Sequence, residues 1–321
     1  MIKLHTILTL VFCSLFAKAQ KEIQHYKAYF ATGSYNGKNI LVLRQFEQEA
    51  QQSYLIVNPQ TLETQIINSK QVSVKPIRFQ EFGTYLKNTP YFSALQTAQQ
   101  QSLLLQDAGI THGFPKEKGI TLTIDLCPSH KPLDRTIFSS LIAAFQKHER
   151  PVPVALSITG KFMLNHSDDI NWLLGLQKSG DLNITWTNHT FNHHYNPKAP
   201  LAINFLMEPG TDLNFEILGL EKAMIERGLL PSVFFRFPGL VSDQKLVDQV
   251  TSYGLIPIGS DAWLAKGQQS HAGSLVLIHG NGNEPIGVKD FIKLLVTEKA
   301  TINQQQWLLY DLRTSIENEF R

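Results

Sequence analysis

After Gly119 the chain settles into short apolar runs separated by stretches of helical periodicity, and few folds satisfy that pattern. The runs span residues 120–124, 152–158, 182–186, 232–235, 255–258, 274–278 and 306–310. Each is too short for a helix and reads as a strand. Between most of them apolar residues recur at helical spacing. Ile137, Leu141 and Phe145 follow Asp134 as an N-cap; Leu213, Ile217, Leu220 and Met224 follow Asp212; Leu246, Val247 and Val250 follow Ser242-Asp243; Phe291, Leu294 and Leu295 form the last set. Strands alternating with helices predict a parallel sheet, and about 200 residues of it predict a closed or nearly closed α/β barrel. No internal repeat or low-complexity tract competes with this reading.

The region before it is different. Residues 1–19 hold Lys3, a short apolar core and Ala17-Lys18-Ala19, which predicts a secretory signal peptide cleaved near Ala19, too short in its core to span a membrane. Residues 20–115 predict a small α+β module: strands at 40–43 and 54–57, a turn at Asn58-Pro59, and a Gln-rich helix after Ser93, with Gln96 completing a capping box. It holds no titratable cluster that suggests chemistry, so a structural or docking role is expected. Residues 113–119 read as the linker to a barrel domain at 116–321.

Cleavage leaves Cys127 as the lone cysteine, so an exported protein of this size relies on its core rather than on a disulfide. Hydrophobic residues make up 43% and charged residues 17%, which supports a sizeable core. Removing Lys3 and Lys18 takes the formal charge from +2 to zero, because no acid lies in the first nineteen residues. Neither nucleic acid nor an anionic membrane surface is implied as a partner, and no protein partner can be inferred. A secreted or periplasmic location follows from the leader.

Chemistry in parallel α/β folds collects at the C-terminal ends of strands. Here the proposed strands end in Asp125, in His189 and His193, in Arg236, in Asp261 and in His279. His189 and His193 are four residues apart; one helical turn after the strand would place both on one face, within reach of a single ion at about 2.0–2.1 Å for zinc. The bland alternative is a buried and a surface histidine that never meet. Each of the others also has one: Asp125 a turn residue, Arg236 a surface cation, Asp261 a cap, His279 a core histidine. Their concentration at strand ends favours function.

Thr123-Ile124-Asp125-Leu126-Cys127-Pro128, His189-Thr190-Phe191-Asn192-His193, Arg236-Phe237-Pro238-Gly239, Asp261-Ala262-Trp263 and Leu275-Val276-Leu277-Ile278-His279 resemble, in order and rough spacing, the five motifs of the polysaccharide deacetylase family (NodB homology domain, carbohydrate esterase family 4). The resemblance covers about residues 118–315. It implies a distorted (β/α)7-type barrel and metal-dependent removal of acetyl groups from polysaccharides. By position it implies that His189 and His193 bind a divalent metal, most simply zinc. Asp125 would be the general base, Arg236 its support, His279 the general acid and Asp261 the partner orienting that acid. Phe191, Tyr195, Phe237, Pro238 and Trp263 would line the substrate site, although aromatic residues there fit the core equally well.

One motif departs from the family. Its first motif normally carries two adjacent aspartates, the second a metal ligand, and this chain has Leu126 there, followed by Cys127 where glycine is usual. Three explanations stand open: Asp125 moves to the metal; His194, Asp134 or Cys127 completes the site; or metal is held weakly and turnover is lost. The expected function is an exported deacetylase of an N-acetylated glycan, and the alternative is a glycan-binding pseudoenzyme. On this reading Leu126→Asp would supply the missing ligand, provided the chain turns at residue 126.

Overall fold

In the computed structural model, residues 22–100, 105–114 and 119–321 are described. The expected leader, and residues 115–118 of the expected linker, lie outside them.

The N-terminal region is a five-stranded antiparallel sheet of β1 (Ile23–Tyr35), β2 (Lys38–Gln48), β3 (Gln51–Val57), β4 (Thr64–Asn68) and β5 (Val74–Pro76), in the order β4-β3-β2-β1-β5. Asn36-Gly37, both with positive φ, join β1 to β2 as the left-handed pair a two-residue hairpin demands. Two helices follow, α1 (Phe82–Tyr85) and α2 (Pro90–Gln100). The expected cap at Ser93 is displaced, because α2 starts earlier. Pro90 takes the first position, where its missing N–H costs nothing, and the Thr89 hydroxyl accepts the Phe92 N–H at 3.3 Å.

The remainder is a curled, parallel seven-stranded sheet with helices outside. In chain order its elements are β6 (Thr121–Leu126), α3 (Arg135–Phe145), β7 (Val152–Ile158), α4 (Gly160–Asn165), α5 (Ser167–Lys178) and β8 (Leu182–Asn188). Then come α6 (Leu220–Glu226), β9 (Pro231–Phe235), α7 (Gln244–Ser252), β10 (Ile256–Pro257), β11 (Ala262–Trp263) and β12 (Leu275–His279). The helices α8 (Pro285–Thr297), α9 (Lys299–Asn303) and α10 (Leu312–Glu319) end the chain. The strand order is β10-β9-β8-β7-β6-β12-β11, so the distorted barrel is as expected. Six of the seven expected strands form. The run at 306–310 does not: only Leu308 and Tyr310 bond to Ile120, one residue before β6, and the seventh strand is Ala262–Trp263. Asp134 and Asp243 cap α3 and α7 as the sequence implies.

The gap between the β10 and β12 sides of the barrel is crossed by chain that precedes β6. Ile110 N–H donates to the Pro257 carbonyl at 3.0 Å, Gly259 N–H to the Ile110 carbonyl at 2.9 Å, and Leu275 N–H to the Thr111 carbonyl at 3.2 Å. Residues read as the end of a separate module therefore complete the barrel wall.

The N-terminal sheet lies under the strand starts, at the end opposite the motif residues. Thr64 Oγ1 donates to the carbonyl of Pro231, the first residue of β9, at 2.8 Å, and Tyr91 Oη to that of Gly254, just before β10, at 2.7 Å. Leu41, Leu43 and Val57 share one apolar cluster with Val233, Phe234 and Ile256. Within this layer the fully buried Arg44 guanidinium meets Glu221 of α6 at 2.6 Å. A charge so deeply buried persists because it is paired and hydrogen-bonded, here also to the Tyr253 carbonyl.

Candidate metal centre and active site

Along β6, neighbouring side chains point to opposite faces. Asp125 points into the barrel, and Leu126 points out into the main apolar cluster, under Gly280 and beside Leu133. The strand continues through Leu126, which pairs with Ile158, so the turn expected at 126 comes after it. Leu126 has no route to a metal. Cys127, two residues after Asp125, returns to the site side.

β8 ends at Asn188, and the fully buried His189 follows. Its Nδ1 lies 2.9 Å from the Arg236 carbonyl, which fixes Nδ1 as the protonated nitrogen and leaves the Nε2 lone pair free to ligate. Residues 190–193 do not form the expected helical turn. Thr190 and His193 both adopt left-handed φ, 70° and 47°. Glu216 holds this loop: its carboxylate accepts Asn192 N–H at 2.8 Å and Asn192 Nδ2–H at 2.7 Å, and its carbonyl accepts Phe191 N–H at 3.0 Å. Glu216 sits in the π-helical turn Phe215–Gly219 leading into α6, a local widening that recurs at functional sites. The loop brings the two rings together, centroids 4.8 Å apart and edge to face.

Cys127 Sγ lies 3.6 Å from His189 Nε2. One donor atom each of Cys127, His189 and His193 lie within 4.8 Å of one another. Zinc bonds of about 2.3 Å to sulfur and 2.0–2.1 Å to nitrogen, at a tetrahedral angle, set an S···N edge of about 3.6 Å. His193 Nε2 is buried without a hydrogen-bond partner among the described residues, as a ligand lacking its ion would be. The donor set fits zinc. The other candidates are engaged elsewhere: His194 Nδ1 contacts Glu208 at 2.5 Å, Asp134 caps α3, and Asp125 stands outside the three-donor group.

Asp125 is buried beside this cluster, with Oδ2 3.6 Å from His189 Nε2 and Oδ1 3.7 Å from Arg236 Nε. Arg236 is fully buried and gives Nη2–H to the Gly259 carbonyl at 3.0 Å; burial draws its pKa down, against the pull of Asp125. His279 ends β12 in register with Asp125 on the adjacent strand. Its partner is not Asp261. β11 pairs Ala262 with Val276 and Trp263 with Leu277, which leaves Asp261 four residues below His279, about 13 Å at the rise of a parallel strand. Asp261 contacts His112 Nδ1 at 2.6 Å instead. The acid beside His279 is Glu284, Oε2 2.7 Å from Nδ1 though out of line with a ring N–H, and it also accepts Trp263 Nε1–H at 2.7 Å.

The charges reinforce one another. Burial lowers the His279 pKa, but Cys127, Glu284 and Asp125 raise it well above the usual imidazole value. Burial pushes the Cys127 thiol up, but the charges of His193 and His279, with the contact to His189 Nε2, hold it well below the usual thiol value. The two shifts are one coupling, each group's charge favouring the other's. Glu284, raised by burial, is lowered on balance by His279 and Trp263.

These groups open onto a cavity of about 850 Å³, lined among others by Cys127, His193, Tyr195, Trp263, His279 and Glu284. Of the five expected substrate residues, Tyr195 and Trp263 line it. Tyr195 is exposed and stacked on Phe205. Phe237 and Pro238 are buried instead, Phe237 against Phe235 in a core cluster, and Phe191 packs on Phe215 over Gly160. These three side chains are spent on packing. Glu284 and Glu216 were missed because neither belongs to a strand end; an acid five residues after His279 was the one available signal.

The chain is similar in structure to family 4 carbohydrate esterases. One from Bacillus anthracis aligns at TM-score 0.49 and 16% identity, over 69% of this chain and 91% of that one. A family 4 carbohydrate esterase from Bacillus subtilis aligns at TM-score 0.47 and 17% identity, over 68% and 94%. A pseudoenzyme of the same family from Bacillus anthracis aligns at TM-score 0.43 and 14% identity, over 66% and 70%. Residues 24–92 match the family model described as the RP012 protein N-terminal domain.

Proposed function

We propose that the chain is an exported, metal-dependent deacetylase of an N-acetylated glycan. The observation that carries this is the pairing of Asp125 and His279, in register on adjacent strands, beside the Cys127, His189 and His193 donor set under one cavity. Bound by those three residues, zinc would supply Lewis acidity toward an acetyl carbonyl. Asp125 takes a proton from the attacking water, and the Arg236 guanidinium, 3.7 Å from its Oδ1, holds that carboxylate in position. His279, with the Glu284 carboxylate 2.7 Å from its Nδ1, gives a proton to the departing amine. Glu284 steadies the imidazolium. Tyr195, exposed at the cavity mouth, presents a flat face to a sugar ring. The N-terminal sheet of the 20–115 region serves as the floor of the 116–321 barrel, and export follows from the leader-like residues 1–19. No helix among the described residues is long and apolar enough to cross a membrane.

The test is acetate release from N-acetylglucosamine oligomers by the zinc-loaded chain, with Asp125→Asn and His279→Ala as controls. Loss of either group should cost roughly 10²–10⁴-fold. Oligomer binding without acetate release would establish the glycan-binding pseudoenzyme instead, and full activity in Asp125→Asn would remove the assigned base.

A further inference from the structure

The cavity carries a charge pattern that catalysis does not use. Its only carboxylate among the described lining residues is Glu284, engaged by His279 and Trp263. Lys161 and Lys266 also line it, and neither makes an ion pair among the described residues. Lys161 follows β7 and Lys266 follows β11, so they stand on either side of the β6–β12 pair that carries Asp125, Cys127 and His279.

Lys266 is held in place. Its Nζ lies 3.5 Å from the centroid of the buried Trp263 ring, a cation–π contact that orders an otherwise flexible cation. Asp107, on the barrel-closing segment, lies near enough to feel the charges of Lys266 and Arg236, and burial raises its pKa, but it forms no ion pair with Lys266 among the described residues. In the groove beyond Lys161, Glu208 contacts His194, Glu216 is bonded to Asn192 and Asp212 to the Phe215 N–H, and none of the three forms an ion pair with Lys161 among the described residues. The cavity lining itself is cationic, with two lysines against one carboxylate, although the chain without its leader is formally neutral.

We propose that the glycan taken by this cavity is acidic, carrying an anionic substituent near the acetylated sugar that Lys161 and Lys266 reach from opposite walls. This rests on the glycan reading above but not on turnover. Lysine is a point charge that does not discriminate planar from tetrahedral anions, so a carboxylate and a phosphate or sulfate ester share the required chemistry.

Calorimetry on the zinc-loaded full chain tests it with three probes of equal length: a neutral N-acetylglucosamine tetramer, the same tetramer with one C6 oxidised to carboxylate, and one bearing a C6 phosphate. The expected result is a roughly fivefold or greater preference for the acidic tetramers at low salt, shrinking as salt is raised. The two acidic arms, compared with each other, identify the anion. In Lys161→Gln and Lys266→Gln the ratio of acidic to neutral affinity should fall toward one, most fully in the double variant. Equal affinities for all three tetramers, or a preference that survives in the double variant, would overturn the inference and leave the deacetylase reading standing. Binding of none would overturn both.

Discussion

Cys127→Ser bears most directly on the metal centre. Serine keeps the shape of the side chain and removes the soft donor, and the buried position needs no repacking. Structural zinc sites with four protein ligands bind with about 10–16 kcal/mol, or roughly 3 kcal/mol per ligand, so one lost ligand should weaken zinc by about two orders of magnitude. The expectation depends on the 3.6 Å approach of Sγ to His189 Nε2, the edge length of a shared tetrahedron. Competition with a chelator of known affinity reads the dissociation constant. Cobalt substitution gives a second readout, a near-ultraviolet thiolate-to-metal absorption that the wild type shows and Cys127→Ser lacks. Cys127→Asp should recover part of the affinity by offering an oxygen ligand. A dissociation constant unchanged within about threefold in Cys127→Ser, with no thiolate band in the wild type, would refute the three-donor site.

Leu126→Asp should not gain metal affinity and should destabilise the fold by about 3–5 kcal/mol, because it strands a carboxylate among Ile124, Leu133 and Phe138; denaturant unfolding reads the loss, and a tighter zinc constant would contradict the side-chain direction. Glu284→Gln should lower kcat at least roughly tenfold while Asp261→Asn, paired with His112 rather than His279, should spare it; the opposite ranking would restore Asp261 as the orienting acid. Burial raises the Glu149 carboxyl from 4.5 to about 7, so the folded state binds a proton that the unfolded state releases, and this residue's contribution to stability falls as pH rises from 4.5 to about 7. Glu149→Gln, which can still accept the Leu309 N–H, should flatten that slope in melting temperatures taken across the window, and an unaltered slope would count against the raised value.

Elements that carry their own period were legible. β7 was read at its observed limits, and Asp134 and Asp243 announced their helices. β1 was not read, because register shifts between Gln24 and Lys27 and between Ala28 and Ala31 break the alternation a strand should show. β11 is two residues long, too short to leave a pattern. The partner of His279 was misjudged for a different reason: motif order gives the sequence of strands, but the height of Asp261 beside β12 depends on tertiary register, which no local pattern encodes. Phe237 looked like a sugar platform and is core, since an aromatic residue beside a motif has the same composition in either role.

The departure at the first motif has a simpler physical form than the loss of a ligand. Side chains in a strand repeat with a period of two, so residues 125 and 127 share a side and 126 faces the other way. Aspartate at 126 can reach a metal inside the barrel only if the chain leaves the strand before it. Here β6 keeps its register through the Leu126–Ile158 pair, Leu126 seals the interface between sheet and helices, and the donor that returns to the site is Cys127. Against the motif it resembles, the candidate donor stands one residue later and is soft sulfur in place of hard oxygen. That change narrows the metals the site would accept: a thiolate with two imidazoles favours zinc, whereas magnesium and calcium need oxygen donors that the cluster does not offer. Titrations with zinc, magnesium and calcium should therefore give measurable binding for zinc alone, and magnesium binding at comparable strength would mean that Asp125, not Cys127, holds the ion.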